Sequence, residues 1–321
     1  RWLGELLAYS NNILKVNHCN MFIDINNIKD SDIDADICII GSGAAGISLA
    51  REFLDSSRSV VLLEGGGLRQ DAKNQKLYDF ETSDLPIGKN SRIRTYGGTT
   101  TVWGGGWKLF DEIDFEVRGW VPFSGWPIGL RDLEPYYDRA ALLVGGSRVE
   151  DFKIDTFRKK FINKQRIIET QAIHSTFLRL LPRDSLDFGK KFRDVFENSR
   201  TLRVLYNANV VRLVINNGSS EVAGASIRTL SGRTYFLRAK RFILACGGIE
   251  NARLLLFSNV GNDYDQVGRY YMDHPKSAGG TIIPAKNLDL SLYWKPQDMG
   301  GLVIAGLQLS PELQKIHRTF A

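Results

Sequence analysis

Apolar positions along the chain fall into short blocks with two different periods, separated by glycine-rich or polar stretches. Asp36 to Ile40 is a nearly continuous apolar run, the pattern of a strand buried on both faces. The turn Gly41-Ser42-Gly43-Ala44-Ala45-Gly46 follows directly, and Ile47, Leu49, Ala50, Phe53 and Leu54 then recur at helical spacing. Val60 to Leu63 is a second buried strand, ending at Glu64 before Gly65, Gly66 and Gly67. Strand, glycine turn, helix, strand and acid within about 30 residues predict the start of a dinucleotide-binding sheet.

Downstream, residues 71–90 are polar and loop-like, and a second glycine-rich stretch runs from Tyr96 to Trp107. Residues 118–145 hold Trp120, Trp126 and Pro127, then an amphipathic helix through Ala140–Leu143. Residues 151–200 are charged and mostly helical in pattern. Alternation in Thr201–Leu205, Val210–Ile215, Ala223–Thr229 and Thr234–Leu237 predicts a small β-meander, with turns at Asn216-Asn217-Gly218 and Ser231-Gly232. Arg241–Ala245 is another buried strand, leading through Cys246-Gly247-Gly248 into a helix over Leu254–Leu256. Two further strand-like runs lie around Gly279–Ile283 and Leu302–Leu309.

Composition narrows the class without naming it. A chain of 321 residues has room for one large or two modest domains, and 43% hydrophobic with 24% charged residues is ordinary for a globular protein. No apolar run approaches the roughly 18 residues needed to span a bilayer, so no membrane span is expected. The net charge of +6 comes from dispersed Lys and Arg. Its densest clusters, Arg158-Lys159-Lys160 and Lys190-Lys191 with Arg193, sit beside acidic residues; they read as solvated faces, and no nucleic-acid partner is expected. Of three cysteines, Cys19, Cys38 and Cys246, the last two lie inside apolar runs. An odd count without framework spacing speaks against a disulfide scaffold and for a reducing, cytoplasmic compartment. His18, His174, His274 and His317 show no metal-ligand spacing. The chain opens on Arg1 without a secretory signal pattern; Met21 stands as a candidate initiator, with an extension before it.

Three glycine-bearing turns could carry chemistry. In the first, Gly41 permits a tight turn, Gly43 lets backbone N–H groups approach a pyrophosphate, and Gly46 lets helix and strand pack closely. Glu64 falls where a carboxylate accepts hydrogen bonds from ribose hydroxyls. This motif by itself fits FAD and NAD alike. The second, Arg94 through Gly106, combines paired glycines, three threonines and Trp103, which suits a loop laid against a flat heteroatom-rich ring but equally a plain loop with a buried Trp. The third, Phe242 through Arg253, fits the return of a flavin domain to its cofactor, and as an isolated fragment fits any strand–helix connection.

Taken together, the chain resembles the glucose-methanol-choline (GMC) family of FAD oxidoreductases, nearest its gluconate and fructose dehydrogenase and pyranose oxidase branch. The resemblance rests on Ala35–Gly46, Tyr96–Gly105, Phe123–Ile128 with Leu133–Tyr137, Asn207–Val210, Ala245–Arg253 and Val267–Pro275, in the family's order. It implies an α/β fold: a discontinuous Rossmann-like FAD-binding domain with an inserted helical segment and the start of an α+β substrate domain. The expected divisions are an N-terminal extension (1–32), the first stretch of the FAD-binding domain (33–115), a substrate or cap segment (116–200), the second stretch of the FAD-binding domain (201–272) and the start of the substrate domain (273–321).

Carried over position by position, the resemblance implies that Gly41, Ser42, Gly43, Ala44, Ala45 and Gly46 hold the FAD pyrophosphate, and Glu64 with Gly65 the adenosine ribose. Val210 would meet the adenine through its backbone, and Ala245 and Gly247 would bring the third turn to the cofactor. Gly97, Gly98, Thr99, Thr100, Thr101, Val102 and Trp103 would lie beside the flavin ring. Pyranose oxidases carry a flavin-linked histidine immediately before the tryptophan of this loop; Val102 occupies that position here, so FAD is expected to be noncovalent. The implied reaction oxidises a CH–OH group of a sugar, polyol or other alcohol, with an electron acceptor the sequence does not name. The family's catalytic His, paired with His or Asn near the C-terminus, has no counterpart in 276–321, which leads to the expectation of a fragment, its catalytic residue beyond Ala321. His274, in an Asp-His-Pro connection, is not expected to be catalytic. An NAD-dependent oxidoreductase and a catalytically inactive FAD-binding module are the alternatives.

Overall fold

The computed structural model describes residues 21–81, 91–145, 148–161, 167–216, 221–274, 281, 283, 289–298 and 301–319. The chain divides into two compact units, residues 1–102 with 187–272, and residues 103–186 with 273–321. The described strands in chain order are β1 Phe22–Asp24, β2 Asp32–Ile40, β3 Val60–Leu63, β4 Gly106–Trp107, β5 Ile173–Leu180, β6 Leu202–Tyr206, β7 Asn209–Ile215, β8 Val222–Arg228, β9 Thr234–Leu244, β10 Gln297–Asp298 and β11 Leu302–Leu309. Five helices matter below: α1 Ala44–Glu52, α2 Leu130–Val144, α3 Ile154–Phe161, α4 Gly248–Ser258 and α5 Pro311–His317.

The first unit holds a seven-stranded sheet in the order β1-β6-β3-β2-β9-β8-β7. β1 to β9 in that order are paired in parallel, and β9-β8-β7 are antiparallel. β3 is buried along its whole length and β2 over its last four residues, which is why both read as unbroken apolar runs. The meander strands share one core cluster with the parallel sheet: Val210, Leu213, Ala225, Ile227 and Leu237 join Cys38, Ile40, Val61, Leu63 and Leu205. Leu254 of α4 closes the same cluster. Helix α1 packs on β2 and β3, burying Gly46, Ile47 and Ala50. This arrangement is the expected Rossmann-like α/β domain, built from two separated stretches of chain.

Several expected elements change in the structure. β6, read as the first strand of the meander, lies in the parallel sheet between β1 and β3, because Leu202, Val204 and Leu205 are all buried there. The two strands read at Thr234–Leu237 and Arg241–Ala245 are one, β9. The polar run that suggests a break stays extended because Arg238 pairs with Asp32 (2.6 Å) and Lys240 with Asp36 (2.7 Å) of the neighbouring β2. Within the segment read as an N-terminal extension, Phe22–Asp24 form the sheet edge β1. Residues 1–20, with His18 and Cys19, lie outside the described residues, as does most of the strand-like run at 279–283.

The second unit holds a four-stranded antiparallel sheet in the order β10-β11-β5-β4. Its boundaries, at 102/103 and 186/187, fall before those read near 115 and 200. Trp107 pairs with Arg179 in the sheet, which assigns it to this unit. The segment 151–200, read as mostly helical, contains α3 but also β5. In β5 the buried alternate positions are Ser175, Phe177 and Arg179, so two polar residues conceal the period of two. Ser175 is satisfied by the Ile168 carbonyl (2.6 Å) and Tyr293 Oη (2.7 Å), and Arg179 donates to the Asp151 carbonyl (3.2 Å). Phe157 and Phe177 stack at 3.9 Å between centroids in a small core with Leu292, Val303 and Ala305.

Candidate dinucleotide site

All three glycine turns of the first unit meet. The turn after β2 is fixed by Gly41, which donates to the Leu63 carbonyl (2.8 Å) and adopts φ +104°. A Cβ on Gly41 would stand 2.5 Å from the Ala245 carbonyl oxygen, so the first turn abuts the third. A Cβ on Gly46 would overlap the Gly41 carbonyl oxygen, so helix α1 can leave the strand this closely only with glycine at that position. The second turn comes in from the other side. Gly97 donates to the Ser42 carbonyl (3.1 Å), and a Cβ on Gly98 (φ +54°) would lie 2.9 Å from the Gly43 Cα. Gly43, Gly247 and Gly248 are the exceptions, because a Cβ on any of them meets nothing within 4 Å.

The open space beside Gly43 lies at the start of α1. Gly43 is the N-cap residue and no side chain caps the helix, so its first-turn N–H groups have no intrahelical partner. An uncapped helix N-terminus with a clear approach can receive a phosphate on its backbone N–H groups and dipole. Gly43, Ala44 and Ala45 are the residues placed for this. Ser42 is not: it is fully buried, and its Oγ donates to Glu64 Oε2 (2.6 Å).

Glu64 stands at the end of β3, where the sequence pattern places it, and is buried. Oε2 also accepts from Ser42 N (3.3 Å) and Oε1 from Gly66 N (2.7 Å). Burial pushes its carboxyl above the usual range, opposed by those hydrogen bonds and by the charge of Arg94. Gly65 lies against the Arg94 guanidinium, and the same guanidinium donates to Asn209 Oδ1. Asn207 N donates to the Gly66 carbonyl and Ala208 N to the Glu64 carbonyl, both 2.8 Å. The β6–β7 connection is thereby joined to the acid, with Val210 two residues further on and its side chain in the core.

The flavin-loop residues divide. Thr100 is buried, donates to the Gly97 carbonyl (2.6 Å) and accepts from Phe188 N (3.1 Å). Thr101 donates to the Gly98 carbonyl (2.9 Å). Their hydroxyls hold the loop's own short helix, whereas Thr99 and Val102 are exposed. Trp103 belongs to the second unit, where its Nε1 donates to the Leu186 carbonyl (2.8 Å). The third turn is clamped by Asn251, whose Oδ1 accepts from Cys246 N (2.9 Å). Cys246 and Cys38 are both free thiols, and burial raises both, Cys246 to about 12, so neither is poised as a nucleophile.

Sequence reasoning missed the charged residues around these turns. Buried Glu250, in the first turn of α4, pairs with Arg92 (2.5 Å) and Arg253 (2.6 Å). Arg92 also lies over the Tyr78 ring at 4.3 Å. The signal was present as an Arg-Ile-Arg triplet before one glycine pair and a Glu just after another. Of the histidines, His274 is exposed, and His174 pairs with Glu169 in the second unit (2.9 Å). Among the described residues there is no cluster of His, Cys, Asp or Glu able to hold a metal, and no helix long and apolar enough to cross a membrane.

A strand–turn–helix–strand with an acid at the second strand's end, an uncapped helix start and two further glycine turns closing on it is the arrangement of a Rossmann-like α/β domain. Residues 190–276 match the model of the GMC oxidoreductase family. That match spans β6 to α4 and includes the third turn. The chain is 26% identical over 289 residues to paromamine 6'-oxidase of Streptomyces fradiae, covering 75% of this chain and 53% of the relative. It is 22% identical to the fructose dehydrogenase large subunit of Gluconobacter japonicus, covering 77% and 60%. Pyridoxine 4-oxidase from Mesorbium loti is similar in structure, with TM-score 0.48 and 19% identity over 70% of this chain and 52% of that one. The chain thus spans between half and two thirds of the length of the curated relatives it matches.

Proposed function

We propose that this site binds FAD noncovalently and that the whole protein is an FAD-dependent oxidoreductase acting on a CH–OH group of a sugar, polyol or other alcohol. The observation that carries the reading is the meeting of three glycine turns at the uncapped start of α1, with open space beside Gly43. The family match supports the class of reaction, and the names of the relatives, a paromamine 6'-oxidase and a fructose dehydrogenase, support the class of substrate. In this reading Gly43, Ala44 and Ala45 present backbone N–H groups to the pyrophosphate, and Glu64 accepts hydrogen bonds from the ribose hydroxyls. Thr100 and Thr101 hold the second turn rigid through its own carbonyls, so that Thr99 and Val102 present the loop's outer surface. Val102 carries no atom able to bond to the flavin. When bound, FAD supplies the hydride acceptor, and the protein's role is to fix its position and exclude water. No described residue is assigned as the base that removes the hydroxyl proton.

Titration of FAD into the full-length protein, followed by flavin fluorescence, tests the reading. Gly43→Val puts a branched side chain into the open space beside α1 and should weaken binding at least 100-fold with the fold intact by circular dichroism. Unchanged binding would show that the dinucleotide lies elsewhere. A yellow chromophore with flavin absorbance in the purified protein separates FAD from NAD.

A further inference from the structure

The stem of the second glycine turn, Arg92-Ile93-Arg94, is held by backbone and side chain alike. The Gln75 side-chain amide brackets its backbone, donating to the Arg92 carbonyl (2.8 Å) and accepting from Arg94 N (3.1 Å). Ile93, between the two arginines in sequence, is buried. Arg92 carries the further attachment: Nη1 pairs with Glu250 Oε1 (2.5 Å), Nη2 donates to the Tyr78 carbonyl (3.1 Å), and the guanidinium lies over the Phe80 ring at 4.9 Å. Glu250 stands in the first turn of α4, two residues after Gly248, so this ion pair ties the stem of the second turn to the third turn. The stem also reaches the loop's outer surface, because Ile93 N donates to Thr99 Oγ1 (3.4 Å). Thr100 and Thr101 spend their hydroxyl protons on carbonyls of their own turn. Exposed Thr99 does not: among the described residues its hydroxyl accepts from Ile93 and donates to no acceptor. A hydroxyl oriented by a bond it accepts still has a proton to give.

We propose that Arg92 is a positioning residue of this site: its ion pair with Glu250 fixes the stem on which the Thr99 hydroxyl is presented as a donor to the flavin ring. The inference rests on the FAD reading above and concerns the flavin end of that ligand. The side chains of Arg92 and Glu250 are only 15% and 9% exposed, so solvent screens the pair little and the pair can hold one geometry. Such a role divides the ligand in two. The adenosine and pyrophosphate fall to Glu64 and the start of α1, and among the described residues no hydrogen bond, ion pair or ring contact of Arg92 involves either. The flavin ring falls to the second turn. ADP shares the first portion with FAD and lacks the ring, so the two ligands report on the two ends separately.

The test is the pair of dissociation constants for FAD and ADP, measured by titration calorimetry on the full-length protein as wild type, R92M, R92K and R92M/E250Q. R92M should weaken FAD roughly tenfold, the size of one lost hydrogen bond, while ADP stays within about twofold of the wild type. R92K keeps a cation on Glu250 and should recover most of the FAD affinity. R92M/E250Q strands no buried carboxylate, should show the same loss for FAD alone, and serves for the measurement if R92M does not fold. T99A should weaken FAD to a similar extent and add nothing in the R92M background. Equal weakening of FAD and ADP, no weakening of either, or losses from R92M and T99A that add in full overturn the role of Arg92 while leaving FAD binding in place. A wild type that binds neither ligand removes the FAD reading itself and this inference with it.

Discussion

In the first unit the turns after β2, around Gly97 and after β9 touch one another through backbone atoms, whereas in the second unit Phe157 and Tyr293 are held to the sheet at β5 through side chains. Gly41 meets the Ala245 carbonyl, Gly46 meets the Gly41 carbonyl and Gly98 meets the Gly43 Cα. In the second unit the corresponding contacts are the Phe157–Phe177 stack and the Ser175–Tyr293 hydrogen bond. Backbone contacts leave no freedom to repack, since the atoms concerned cannot choose another rotamer. Side-chain contacts tolerate change and lose stability in proportion to what is removed. The difference suits a site that must present N–H groups at fixed positions to a charged ligand, and it sets the order of effects expected from mutation.

The largest effect should come from Gly46→Ala. One methyl group there overlaps the Gly41 carbonyl oxygen and separates α1 from β2. A loss of about 4 kcal/mol or more is expected in urea denaturation, at the upper end for a single substitution. Gly43→Ala, three residues earlier and with nothing within 4 Å, should stay within about 0.5 kcal/mol of the wild type. Equal effects at the two positions would mean that the close approach does not organise the unit. Next in size is Phe177→Ala, which removes one ring of the stack in the second unit and should cost about 3–5 kcal/mol. Amide hydrogen exchange separates the two variants. F177A should raise exchange in β5 and β11, and G46A in β2 and β3.

The same contrast explains what was legible in the chain. Strands buried on both faces write themselves as apolar runs, so β2 and β3 were readable, and so was the turn between them, because its chemistry needs glycine in a fixed pattern. The meeting of Gly98 with Gly43 and of Ala245 with Gly41 was implied only by the family resemblance, since nothing local in 41–46 says which distant turn will come to it. β5 was missed because Ser175 and Arg179 occupy buried positions and find their partners in residues far along the chain or in loop carbonyls. β9 was divided in two because Arg238 and Lys240 look like loop residues until Asp32 and Asp36 of β2 are placed beside them. Ser42 was assigned to the phosphate on its place in the motif, yet its hydroxyl is directed to Glu64 by burial that the motif does not encode. Arg92 and Glu250 were overlooked for the same reason: a pair separated by the whole meander has no local spacing.

A side-chain contact placed inside the backbone-built unit should count for least. Asp36 provides it: Oδ1 takes the Lys240 ammonium (2.7 Å), and Oδ2 accepts from Ser59 N (2.8 Å) and Ser59 Oγ (3.0 Å). The Lys240 and Ser59 hydrogen bonds pull its carboxyl down to about 2. Because the folded value lies below the unfolded one, the stabilisation is complete above the unfolded pKa and is lost as pH falls towards 2. Asp36→Asn should therefore flatten the pH dependence of stability between about pH 4 and 2, with a small constant loss above about pH 5. Thermal melts across that range measure both, and added salt should shrink the difference, because Lys240 is largely exposed. If the asparagine variant instead loses as much as F177A near neutral pH, surface side chains hold the first unit together as strongly as its core contacts do, and the contrast between the two units fails.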